Sequence, residues 1–238
     1  AVVTGSTDHD GDSIDYTISW NVDGIPYTGA TQTTVWTGDT ISAALTSVGE
    51  EWTCTALPND GLDDGVPGSA TTTVQHAQTR VFVTSNTWNG DLGGLSGADD
   101  KCQQSADDAG LGGTWVAFLS NGTSAASRIP EGPYVRLDGA IIANDKNDLL
   151  DGSITVPINL NEMGGTNSGF VFTGSNASGS SYGSSTNGLC VGWTRGCGVC
   201  YGNHFYAQVG RADRSNDDWV DVGWVKCHTG SHLYCFEQ

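Results

Sequence analysis

Cys227-His228-Thr229-Gly230-Ser231-His232-Leu233-Tyr234-Cys235-Phe236-Glu237 sets two cysteines eight residues apart and puts the second in an aromatic-Cys-aromatic-Glu run. That spacing suits two disulfides closing a compact, loop-rich domain at its C-terminal strand. The chain has seven cysteines in 238 residues, six of them in its C-terminal two thirds. Such usage points to an oxidising compartment, and to a secreted recognition module rather than a cytosolic enzyme.

Composition narrows the partners. Nine Lys and Arg stand against 27 Asp and Glu, a formal net charge of −18. Nucleic acid binding needs a basic patch, and anionic membranes repel such a chain. No apolar run approaches the roughly 20 residues that span a bilayer. The expectation is therefore no nucleic acid partner and no direct membrane insertion. Five of the acids are glutamate and 22 are aspartate. Aspartate favours turns and cation-binding loops, so the acidity reads as surface loops rather than charged helices. Thirty-four glycines, many Ser and Thr and little helical pattern predict a β-rich, loop-rich fold. The sequence contains no signal peptide, so the expectation is a mature chain or a fragment.

Composition changes near Gln75–Arg80, and Val74–Thr79 reads as a linker. Residues 1–75 carry short alternating runs, Tyr16 to Val22 and Glu51 to Leu57, and read as an Ig-like β-sandwich. Trp20 is the expected core tryptophan on the third strand, with Cys54 on the sixth. The run from Asp8 to Tyr16, Trp20-Asn21-Val22-Asp23-Gly24, and Trp52 to Gly61 resemble the tandem Ig-like repeats of large bacterial surface proteins. Ala1–Ser6 fits the second strand of such a repeat, so the first is missing and the sandwich reads as incomplete. Cys54 lacks a partner on that second strand. A neighbour could supply the missing strand by β-augmentation.

Residues 80–238 form the second domain. Arg80 to Ser85 is a fresh strand. Ser96 reads as an N-cap, with Asp99 and Asp100 in the first helical turn. Leu95, Ala98, Cys102, Ala106 and Ala109 repeat at helical spacing, and Gly110 stops the helix. Gly113 to Ser120 reads as a buried strand. The Gly/Ser/Asn-rich stretch from about 160 to 190 has no period, and loops this long are usually functional or disordered.

The helix with Cys102, the strand Trp115–Ser120, Cys190, Cys227 and Tyr234-Cys235-Phe236-Glu237 resemble a C-type lectin-like domain. Arg80 to Ser85, Asn89 to Cys102 and His232 to Glu237 also look like the endostatin-like bacterial extracellular domains related to that fold. The resemblance implies an α+β domain over 80–238 with bridges Cys102–Cys235 and Cys190–Cys227. The family's Glu-Pro-Asn or Gln-Pro-Asp sugar triplet is absent. Ser215-Asn216-Asp217-Asp218-Trp219 holds an Asn-Asp pair near the expected strand.

Three constellations carry chemistry. Asp8, Asp10, Asp12 and Asp15 fall in one loop of the sandwich, and Asn59, Asp60, Asp63 and Asp64 in another at the same end. They read either as a Ca²⁺ site stiffening the joint to a preceding module or as solvated acidic turns. Cys197-Gly198-Val199-Cys200 with His204 reads as a small-loop disulfide, which pairing parity favours, against a zinc or redox site. Trp193, Arg195, Tyr201, His204, Phe205, Tyr206 and Arg211, with Asn216, Asp217 and Trp219, form a candidate ligand face. Aromatics with Arg anchor interfaces and stack on sugars; the competing reading is local core.

No Gly-x-Ser-x-Gly elbow or His-Glu-x-x-His appears, so no catalytic residue is named and an enzyme is not expected. The reading is a secreted or cell-surface adhesion module that binds a glycan or surface protein. The alternatives are a fibre subunit self-associating through the incomplete Ig-like domain, and a secreted polysaccharide hydrolase.

Overall fold

The computed structural model describes residues 7, 9, 11–29, 31–35, 38–183, 189–197, 199–200 and 203–238. Ala1–Ser6, read as a strand, lie outside them. The chain divides into two units, Ala1–His76 and Ala77–Gln238. The protein is β-rich, with several separate sheets.

The first unit contains β1 (Asp15–Val22), β2 (Ile25–Pro26), β3 (Gln32–Val35), β4 (Gly38–Thr40), β5 (Glu51–Asn59) and β6 (Gly68–Thr73). Four strands form one antiparallel sheet in the order β2-β1-β5-β6, and β3 pairs with β4. Asp23 and Gly24 both adopt positive φ, as a two-residue primed hairpin turn requires. Alternation does the rest. On β5, Trp52, Cys54 and Ala56 are buried, and Val22, Trp20 and Ile18 lie opposite them on the same face. Thr17, Ser19 and Asn21 face the other way.

The tryptophan that fills this core is Trp52, not Trp20. Trp52 is 4% exposed and Trp20 is half-buried. Trp52 packs edge-on against Tyr27 and Trp20. Trp20 donates its Nε1–H to Oδ2 of the buried Asp39 at 3.1 Å. Cys54 is a buried free thiol, and burial pushes its pKa up. Among the described residues of this unit, Trp52, Cys54 and Ala56 are the buried apolar side chains.

The second unit contains β7 (Thr79–Val83), α1 (Gly94–Asp108), β8 (Trp115–Ala117), β9 (Tyr134–Arg136), β10 (Ile141–Ala143), α2 (Lys146–Leu149), β11 (Phe170–Phe172), β12 (Val199–Cys200), β13 (Asn203–His204), β14 (Tyr206–Arg211), β15 (Gly223–Lys226) and β16 (Tyr234–Glu237). The larger sheet runs β10-β9-β7-β16-β8, and a smaller one runs β11-β14-β15. Only β7 and β9 run parallel among the named pairs of the larger sheet.

β16 sits inside that sheet, so Tyr234, Cys235 and Phe236 are all buried. A strand covered on both faces reads as a continuous apolar run, which is how the C-terminal stretch reads. Cys235 faces α1, where it bridges Cys102, with Phe82, Trp115, Ala117 and Leu119 around it. Tyr234 and Phe236 face the opposite cluster, with Val81, Val83, Phe118, Tyr134 and Trp219.

Helix α1 begins at Gly94 rather than after Ser96. Gly93 takes the cap position in a left-handed conformation that suits glycine. The amides of Leu92 and Gly93 donate to Trp193 O, at 2.9 and 3.1 Å. Asp99 serves a long-range tie: it accepts two bonds from Arg128 and one from the Ala117 amide. Between the neighbouring strands β7 and β16, Arg80 clamps Glu237 with two bonds, at 2.6 and 2.7 Å. The guanidinium holds the Glu237 carboxyl below the usual range. This contribution is present above the ordinary carboxylate pKa and is lost as pH falls through the depressed value.

The Cys102–Cys235 bridge spans 133 residues of sequence. Replacing both cysteines with alanine is expected to cost roughly 2–5 kcal/mol, read as a lower midpoint in urea unfolding of the full chain.

Candidate functional site

The smaller sheet presents the site. In an antiparallel pair, directly opposite residues share a face. Tyr206 lies opposite Lys226 and Gln208 lies opposite Trp224. The strand β15 alternates, with Trp224 and Lys226 outward and Gly223 and Val225 less exposed. The opposite face of the sheet, carrying Ala207, Val209 and Phe172, packs into the core. Gly210 lets β14 lie against the Trp219 backbone: a Cβ there would stand 1.9 Å from Trp219 O.

Trp224 is 50% exposed and Tyr182 is 45% exposed. Their rings meet edge to face, with centroids 5.5 Å apart. Tyr182 comes from the glycine-rich stretch, which folds back on itself. Ser175 bridges Ser181, and the Tyr182 amide donates to Gly174 O at 3.1 Å. The Tyr182 hydroxyl donates to Asp221 Oδ2 at 2.6 Å. Gln208 Nε2 donates to the other oxygen of Asp221. Gln208 is fully buried, and its Oε1 has no hydrogen-bond partner among the described residues. The bond to Asp221, then slight burial and the nearby carboxylate charge, pushes the Tyr182 phenol pKa up. A carboxylate held from two sides, next to two solvent-facing rings, is a preorganised surface for a ligand with apolar faces and hydroxyl donors.

The residues singled out in the sequence do not form one surface. Trp193 and Trp219 are fully buried core residues. Trp193 donates to Ser120 O at 2.8 Å and packs on Phe172; Trp219 packs on Phe118 and Tyr234. Neither offers area to a ligand. Tyr206 is 38% exposed and shares the face of Trp224. Phe205 is half-buried against the α1-side core. Arg211 is engaged with Asp213, Ser168 O and the Phe170 ring. Asn216 and Asp217 are exposed in the connection between β14 and β15, where the Asn216 amide bonds to Asp217 and Asp218. Arg195 is exposed just after Trp193. Tyr201 lies outside the described residues, and so does the side chain of His204.

Tyr182, Asp221 and Trp224 escaped the sequence reading. The Gly223-Trp224-Val225-Lys226 alternation before Cys227 carried the one usable signal. It marks a strand with a tryptophan on its polar side.

A left-handed turn braces the end of β15. Leu189, Cys190, Val191, Gly192 and Trp193 all have φ between 51° and 67°. Four are not glycine, and this conformation costs such residues roughly 1–2 kcal/mol each. The Cys190–Cys227 bridge and the buried Trp193 ring hold it. Cys197 is disulfide-bonded, so it has no thiolate to give zinc; the Cys200 side chain lies outside the described residues.

In the first unit, Asp15 pairs with Asn59 in register, so the two acidic loops adjoin. A shallow depression of about 280 Å³ there is lined by Thr7, Ile14, Asn59, Asp60, Asp63 and Asp64, among others. Calcium takes 6–8 oxygens. Here Asp60 Oδ1 already accepts from the Leu62 and Asp63 amides, and Asn59 binds Gly61 and Asp64. Among the described residues no group of three or more His, Cys, Asp or Glu could hold a metal ion. Asp8 and Asp10 lie outside the described residues; Asp12 and Asp15 lie within them.

No protein-family model matches this chain, and no curated protein matches it.

Alkaline titration followed by tyrosinate absorbance tests the Tyr182–Asp221 link. The signal lost in Tyr182→Phe is expected to titrate above about 10, the ordinary tyrosine value, and to move down in Asp221→Asn.

Proposed function

We propose that this chain is a non-catalytic, secreted or cell-surface recognition module. It binds a glycan or a surface protein through the exposed face of the smaller sheet of its second unit. The observation that carries the reading is the Trp224–Tyr182 pair, half in water and fixed by Asp221 on a disulfide-braced scaffold. Large exposed aromatics with a pinned polar rim are costly to keep in solvent unless a partner covers them. Two disulfides fit an oxidising compartment. Among the described residues no helix is long and apolar enough to cross a membrane.

Architecture supports the same reading. In an Ig-like sandwich the third strand pairs with the sixth and the sixth with the seventh. The β1–β5 and β5–β6 pairings fit that order, so we assign the first unit to an Ig-like sandwich. The helix bridged to the last strand, and the long β11–β14 connection tied by Cys190–Cys227, fit a C-type lectin-like second unit. An Ig-like stalk carrying such a head resembles bacterial adhesins.

A second reading, a fibre subunit that accepts or donates a strand, draws on β6. All six of its residues are exposed, and among the described residues it is an edge of its sheet. Unpaired edges template pairing with other chains. Sedimentation across concentration separates the two: the fibre reading expects mass to rise with concentration, and a strict monomer counts against it.

For the recognition reading, the Trp224→Ala/Tyr182→Ala double variant is expected to keep its melting temperature and lose attachment to glycan-coated and cell surfaces. Attachment equal to that of the parent protein would contradict it.

A further inference from the structure

We propose that Trp224, Tyr182 and Tyr206 form a stacking platform for an extended, uncharged oligosaccharide, with the Asp221 carboxylate accepting a hydrogen bond from a sugar hydroxyl. The inference rests on the recognition reading and names its ligand class.

Ring geometry decides between a platform and a cage. An ammonium ligand sits between ring faces, within about 6 Å of each centroid. The Trp224 and Tyr182 centroids are 5.5 Å apart with planes at 66°, so the edge of one ring fills that space. The pair is closed as a cage and open as a surface. Tyr206 extends it. It lies opposite Lys226 and is the diagonal neighbour of Trp224, a relation that places side chains about 7–8 Å apart. Trp224 and its diagonal neighbour Tyr206 thus spread aromatic surface over more than the length of one sugar ring, which favours a chain of sugars over a monosaccharide.

Chemistry selects the sugar. The C–H face of a pyranose is apolar and weakly positive, and it complements the negative face of an aromatic ring. Its hydroxyls need acceptors at the rim. Asp221 supplies one, and its position is fixed because Tyr182 and Gln208 each hold one of its oxygens. Gln208 itself is fully buried and acts by holding Asp221 rather than by touching the ligand. The Lys226 ammonium shares this face with the Asp221 carboxylate, so the local charges offset each other, and the formal net charge of −18 disfavours sulfated or sialylated chains. The polar atoms of the platform bind sugar hydroxyls directly, so the contact requires no metal.

The test is calorimetric titration of the full chain with neutral β-linked oligomers of glucose, mannose and N-acetylglucosamine, from monomer to hexamer, in excess EDTA. At least one hexamer is expected to bind, more tightly than its monomer and equally well without EDTA. Trp224→Ala is expected to weaken it about tenfold or more, Tyr182→Ala and Tyr206→Ala to weaken it less, and Trp224→Phe to retain it. The melting temperature is expected to stay put in all four variants. Absence of binding by every neutral oligomer at millimolar concentration, preference for a sulfated or sialylated chain or for tetramethylammonium, or loss of binding in EDTA overturns the proposal. If surface attachment still depends on Trp224 in that case, recognition stands and only the ligand class fails. If attachment ignores Trp224 as well, both fail.

Discussion

The Cys102–Cys235 bridge fastens α1 to a strand that has neighbours on both sides and cores on both faces. One face of β16 belongs to the helix side and the other to the Trp219 side. The same short segment therefore orders both cores of the second unit. The residues just before it extend that order. His232 exchanges backbone bonds with β11, donating to Phe170 O at 2.8 Å and accepting from the Phe172 amide at 3.0 Å. The smaller sheet is thus hung from the larger one through the lead-in to β16.

From that attachment the proposed contact surface follows. With β11 fixed, β14 and β15 take their register. One face of the pair enters the core, and the other is left to Tyr206, Gln208, Trp224 and Lys226. Asp221 closes the β14–β15 connection, and its carboxylate reaches across to Tyr182 from a different loop. The Cys190–Cys227 bridge binds the end of β15 to the left-handed turn. A contact surface built on bridged strands holds its geometry better than one carried on free loops, and rigid presentation lowers the ordering cost of binding.

Much of the frame was legible because it rests on local rules. Ala98, Cys102 and Ala106 repeat at helical spacing, and all three are buried. Apolar residues alternate along β5 and run unbroken through β16, as half-covered and fully covered strands should. The start of α1 was not legible, because the amides before it are satisfied by Trp193, about a hundred residues away. The surface was the least legible part. A tryptophan serves a core or a ligand equally well, and tertiary contacts decided that Trp193 and Trp219 serve the core. Tyr182 sits in a stretch with no period, and its place depends on the Ser175–Ser181 fold-back and a carboxylate from another loop.

The central claim is that Trp224 is the ligand-facing tryptophan among the eight in the chain. The most direct measurement is the set of indole N–H resonances in an ¹⁵N-labelled sample, assigned by substitution and followed during titration with a neutral hexasaccharide. The account predicts that the Trp224 indole shifts and saturates with the ligand while Trp193 and Trp219 stay in place. An unmoved Trp224 beside a shifting indole elsewhere would contradict it.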